Sequence, residues 1–72
     1  MKLMLVMIFC TSLYEQCQKP YPMSESYNNF YSCMVAGYEE AKRKTLEVGA
    51  VRVNKELIYI KFYCAPDTRP AT

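Results

Sequence analysis

The chain opens Met1-Lys2-Leu3-Met4-Leu5-Val6-Met7-Ile8-Phe9-Cys10, one lysine followed by an unbroken apolar run. Two readings fit these letters. A strand buried on both faces carries apolar residues at every position rather than at alternate ones. A secretory signal carries a basic residue, a short apolar stretch and small residues near the cleavage point, here Cys10-Thr11-Ser12. Cleavage after Ser12 gives a signal shorter than the usual ~15–30 residues, and it removes Cys10, leaving an odd number of cysteines. Acylation at Cys10 is disfavoured by the bulky Phe9 before it. A bilayer span needs about 20 apolar residues, far more than this run supplies. The strand reading keeps every cysteine and is preferred; the cleaved signal remains its alternative.

Residues 11–23 read as a connector, because Lys19-Pro20-Tyr21-Pro22 cannot be helical. Ser24 is a good helix N-cap with Glu25 in the first turn. From there Tyr27, Phe30/Tyr31, Met34, Tyr38, Ala41, Thr45 and Val48 recur at three- and four-residue steps, which predicts one long helix over 24–48 with Gly49 as its stop. Gly37 inside that helix costs about 1 kcal/mol against alanine, so a neighbouring ring or backbone is expected to need the space. With Ala36 and Ala41 it also forms a small-residue patch where a second helix can dock. Residues 50–56 read as a polar connector with Val51 and Val53 as apolar pegs. Leu57-Ile58-Tyr59-Ile60-Lys61-Phe62-Tyr63-Cys64 alternates as a strand, and 66–72 as a flexible polar tail.

The expected fold is therefore α+β: a small β-α-β unit forming a single domain over 1–72. One long central helix packs on a two-stranded sheet, parallel if the helix is a crossover. One helix covers one sheet face, yet the first strand is apolar on both. Two strands are also too few for an independently stable sheet. A second copy or a partner is expected to complete it.

Four cysteines in 72 residues suggest two disulfides in an oxidising compartment. In a parallel arrangement Cys10 and Cys64 lie at the same strand ends, which favours Cys10–Cys64 with Cys17–Cys33. Their spacing contains no C-x-x-C knuckle and the chain has no histidine, so a zinc site is not expected. No nucleophile sits beside a base, the carboxylates of Glu39 and Glu40 diverge on a helix, and two isolated glycines make no phosphate loop. The chain reads as a non-enzyme without cofactor, metal or small-molecule substrate. Nine Lys/Arg against seven Asp/Glu give +2, too balanced to call for a polyanion. Lys42-Arg43-Lys44 follows Glu39-Glu40, and the pairs Glu39–Arg43 and Glu40–Lys44 are expected to neutralise that cluster.

Seven tyrosines supply contact area with polar ends. Tyr27, Tyr31, Gly37 and Tyr38 on the helix with Tyr59 and Tyr63 on the second strand are the candidate interface residues. A base-stacking sheet for RNA is disfavoured for want of flanking basic residues. The string Cys33-Met34-Val35-Ala36-Gly37-Tyr38-Glu39-Glu40-Ala41, with Ile58-Tyr59-Ile60-Lys61-Phe62-Tyr63-Cys64, resembles small uncharacterised proteins of marine tailed bacteriophages over about half the chain. That resemblance implies a viral setting and action by binding, and it transfers no chemistry. The leading expectation is a phage-type accessory or virion protein acting by protein–protein contact, with itself or another chain. The alternatives are an exported, disulfide-stapled effector with a cleaved signal, in the periplasm or outside the cell, and a small nucleic-acid-binding regulator. A virion or oxidising exported location is expected, with the cytoplasm of the infected host cell as the alternative.

Overall fold

The apolar run becomes the central strand, β1 (Leu3–Thr11), in a computed structural model that describes residues 2–70. Beyond it lie β2 (Gln16–Cys17), β3 (Tyr21–Tyr27), α1 (Phe30–Val48), α2 (Ala50–Glu56) and β4 (Ile58–Pro66). The three other strands all pair with β1, each antiparallel. β4 occupies one edge of β1 from Leu3 to Thr11, so β2 and β3 share the other edge, β3 against Leu3–Met7 and β2 against Cys10–Thr11.

The sheet therefore has four strands rather than the expected two, the additional pair being β2 and β3. The connector expected over 11–23 and the helix start expected at Ser24 both give way to β3. Residues 24–27 extend that strand, and the cap is Asn29, whose Oδ1 accepts from Ser32 N–H at 2.8 Å. Pro22 is tolerated because it faces Val6 at a position that donates nothing to β1; its nitrogen points to the outer edge. Residues 50–56 are a second helix rather than a connector, entered through Gly49 at φ 92° and left through Leu57 in left-handed geometry.

β1 and β4 are antiparallel, not parallel. β3 first carries the chain back to the start of β1, so the helical crossover runs from β3 to β4 with β1 lying between them. This reversal also overturns the expected sulfur pairing. Cys10 lies opposite Tyr59 while Cys64 lies opposite Leu5, at different ends of the ladder. The bonds formed are Cys10–Cys17, between directly opposed residues of β1 and β2, and Cys33–Cys64, from α1 to β4.

α1 runs antiparallel to β4 on one sheet face. A four-residue helical step and a two-residue strand step both advance about 6 Å, so Cys33 and Gly37 sit in register over Cys64 and Phe62. The buried heart is Leu5, Met7 and Cys33, each 0% exposed. Burying a leucine or methionine of this kind contributes roughly 1.5–3 kcal/mol. The helix turns its small residues inward, Cys33 and Gly37 first, rather than the aromatic stripe expected from periodicity. A Cβ at Gly37 would overlap the Phe62 ring, so the ring takes the space that alanine would fill. The small-residue patch thus receives a strand side chain, not a second helix.

Candidate interaction surfaces

The six candidate interface residues do not form one patch. Tyr27 is partly buried against the core from β3, and Gly37 is buried under Phe62. Tyr31 and Tyr38 are exposed on α1, and Tyr59 and Tyr63 are exposed on β4. Strand alternation separates these pairs. Ile60, Phe62 and Cys64 point to the helix, so Tyr59, Lys61 and Tyr63 point to the opposite face.

That opposite face carries Met4, Val6, Ile8 and the Cys10–Cys17 bond from β1 and β2, flanked by Tyr59 and Tyr63. No element among the described residues packs over it. Val6 is nonetheless only 3% exposed, between Tyr63 on one neighbour and Pro22 on the other.

On the helix side, the flank of α1 nearest the outer edge of β4 is apolar. Met34 Sδ lies 4.0 Å from Cys64 Sγ, and Tyr38 meets Phe62 edge-on with centroids 4.9 Å apart. Tyr31, Val35, Tyr38 and Leu46 run from this flank round onto the outer face of α1, with Lys42 set between Tyr38 and Leu46; Tyr31 is 78% and Leu46 70% exposed. The opposite flank faces β3, where partial burial, helped by the nearby carboxylates of Glu25 and Glu40, raises the Tyr27 phenol above its ordinary pKa. Val35 and Leu46 are exposed on α1 without having been expected at the surface; their signal is their place in line with Tyr31 and Tyr38, masked by the larger stripe ending at Val48.

The outer edge of β4 presents bare backbone. Asp67 N–H donates to Lys2 C=O and Ser12 N–H to Leu57 C=O, both at 2.9 Å, which fixes the phase of the ladder. Tyr59, Lys61, Tyr63 and Ala65 then exchange bonds with β1, while the N–H and C=O groups of Ile58, Ile60, Phe62 and Cys64 point away from it.

Two polar features frame the sheet ends. Asp67 is clasped by Arg69, whose Nε donates at 3.0 Å, and by Ser26 Oγ–H; Arg69 also reaches Met23 C=O at 2.8 Å. Those donors hold the Asp67 carboxyl far below the usual carboxylate range. The tail is therefore pinned through Arg69 rather than free from 66 onward, and residues 71–72 lie outside the described residues. At the other end a cleft of about 390 Å³ lies among Cys10, Cys17, Val48, Arg52 and Ile58, with an Arg52–Glu56 ion pair of 2.8 Å on its wall. Two of the three cations in the basic cluster on α1 are paired, Arg43 and Lys44, and with other partners than the expected Glu39–Arg43 and Glu40–Lys44. Arg43 pairs with Glu40 at 2.8 Å and Glu47 at 3.3 Å, and Lys44 with Glu47 at 3.6 Å. The Arg43 hydrogen bond lowers the Glu40 pKa.

Among the described residues no helix is long and apolar enough to cross a membrane. No protein-family model, curated protein or solved structure matches the chain.

Proposed function

We propose that this chain is a small accessory protein of the phage type its sequence resembles, working by protein–protein contact in an oxidising compartment and not by catalysis. The observation that supports this reading is the pair of exposed tyrosines on α1, Tyr31 and Tyr38, the latter packed on Phe62 of β4, whose outer edge is unpaired. Aromatic residues at the surface give contact area at low entropy cost, and bare strand edges add main-chain bonding. The folded chain exposes 5439 Å², against roughly 4,600 Å² for a compact monomer of its mass.

Two disulfides favour a virion or exported setting over the cytoplasm. Export by cleavage after Ser12 does not fit this fold, since it would remove the strand with which the other three pair. A photo-crosslinking amino acid in place of Tyr31 tests the binding reading. Irradiation is expected to join the chain to a polypeptide, itself or another; adducts to nucleic acid alone, or none, would overturn it. Intact mass with and without reductant tests the compartment. Residues 3–11 are expected to be retained and two disulfides reduced, whereas four free thiols in native protein would count against an oxidising location.

A further inference from the structure

We infer that β4 pairs edge to edge with β4 of a second copy, antiparallel about a two-fold axis at Phe62, joining two sheets into one. This deepens the protein-contact reading and rests on it. The two sheet edges are built differently. The edge formed by β2 and β3 is broken into short pieces, shifted in register between Met4 and Val6, and blunted by Pro22 with its nitrogen outward. Such devices prevent edge pairing. β4 has no break, bulge or proline along its outer side until Pro66, and one charged residue, Lys61.

The register about Phe62 follows from where the donors lie. Ile58 N–H would meet Pro66 C=O of the second copy, Ile60 would exchange with Cys64, and Phe62 with its own mate. Pro66, which has no N–H, falls at the end of the ladder where only its carbonyl is asked for. On the bare face Lys61 comes opposite Tyr63 rather than opposite the second Lys61, so like charges are not juxtaposed.

The helices agree with the same axis. Gly37 stands over Phe62, so a two-fold there sets the two α1 helices antiparallel, with Tyr38 of each copy nearest the axis. Covering Tyr31, Tyr38 and a nine-residue edge removes on the order of 500 Å² per copy, roughly 1,000 Å² in all, the low end of specific interfaces and the range of a concentration-dependent dimer.

The test uses the oxidised full chain. Sedimentation equilibrium is expected to show a dimer, and residue-resolved amide exchange is expected to show protection of Ile60, Phe62 and Cys64 that rises with protein concentration. Tyr63→Lys, which sets a second lysine opposite Lys61 of the other copy, should weaken the dimer at least tenfold while both disulfides and the circular dichroism persist; Leu46→Lys, on the face of α1 turned away from the sheet, should not. A monomer at every concentration would overturn the pairing, as would a dimer whose Ile60, Phe62 and Cys64 amides stay as exchangeable as in dilute protein. If the monomer still crosslinks from position 31 to another polypeptide, self-pairing alone fails; if it crosslinks to none, the protein-contact reading fails with it.

Discussion

The two disulfides lie on opposite faces of the sheet and constrain different parts of the chain. Cys33–Cys64 ties the helix layer to the sheet through a fully buried Cys33, across 31 positions of sequence. Cys10–Cys17 closes a hairpin on the uncovered face, across 7 positions. In the chain-entropy model their loops stabilise by about 3.7 and about 2.4 kcal/mol, respectively. The contrast shows two ways of bracing a chain this small, one staple substituting for a larger core and the other for a longer strand. A single core of this size rarely supplies more than ~3–5 kcal/mol.

Breaking the helix staple should have the largest effect. Cys33→Ala with Cys64→Ala is expected to lose about 3–4 kcal/mol, enough to leave much of the population unfolded in a urea titration. Removing the hairpin staple, Cys10→Ala with Cys17→Ala, should lose roughly 2 kcal/mol. Amide exchange should then rise in residues 11–18 first, leaving α1 protected; equal loosening of both layers would erase the distinction. Gly37→Ala strains the helix face without touching sulfur. Overpacking against Phe62 is expected to cost about 1–3 kcal/mol, less the gain in helix propensity, and Phe62→Leu should relieve it in a double-mutant cycle.

Asn29→Ala removes the helix cap and should cost about 1 kcal/mol, read as a lower thermal midpoint. The smallest effect concerns Asp67. Its folded pKa is depressed by Arg69 and Ser26, so its contribution is complete above the unfolded value near 3.9 and is lost as pH falls below it toward the folded value. Asp67→Asn should flatten that acid-side slope in denaturation midpoints measured from pH 5 downward; an unchanged slope would detach the clasp from stability.

Some of this architecture is legible in the sequence and some is not. Apolar residues at every position of 3–10 mark a strand with both faces in demand, and β1 is central. Alternation marks 57–64, and Gly49 marks the end of the helix. The unfavourable glycine at 37 points to a bulky neighbour, which is Phe62. β3 is illegible because an edge strand needs only half a ladder, so Tyr21–Tyr27 tolerates a proline and polar residues that a central strand would not. Three further features depend on that strand and are hidden with it: the direction of β4, the sulfur pairing and the helix start. Most of the candidate tyrosines do lie at the surface, but their division between two faces follows from the packing of α1 on β4.

Side-chain alternation and helical spacing are local properties of the backbone, so the order of residues was enough to reveal the apolar strand, the alternating strand and most of the long helix. It was enough, too, to show that the layers around them are thin. Pairing partners, strand direction and the inward face of the helix were settled by packing alone. Those choices depend on register between residues far apart in the chain, where β3 reverses the path and the Phe62 ring selects Gly37 over the aromatic stripe as the buried face.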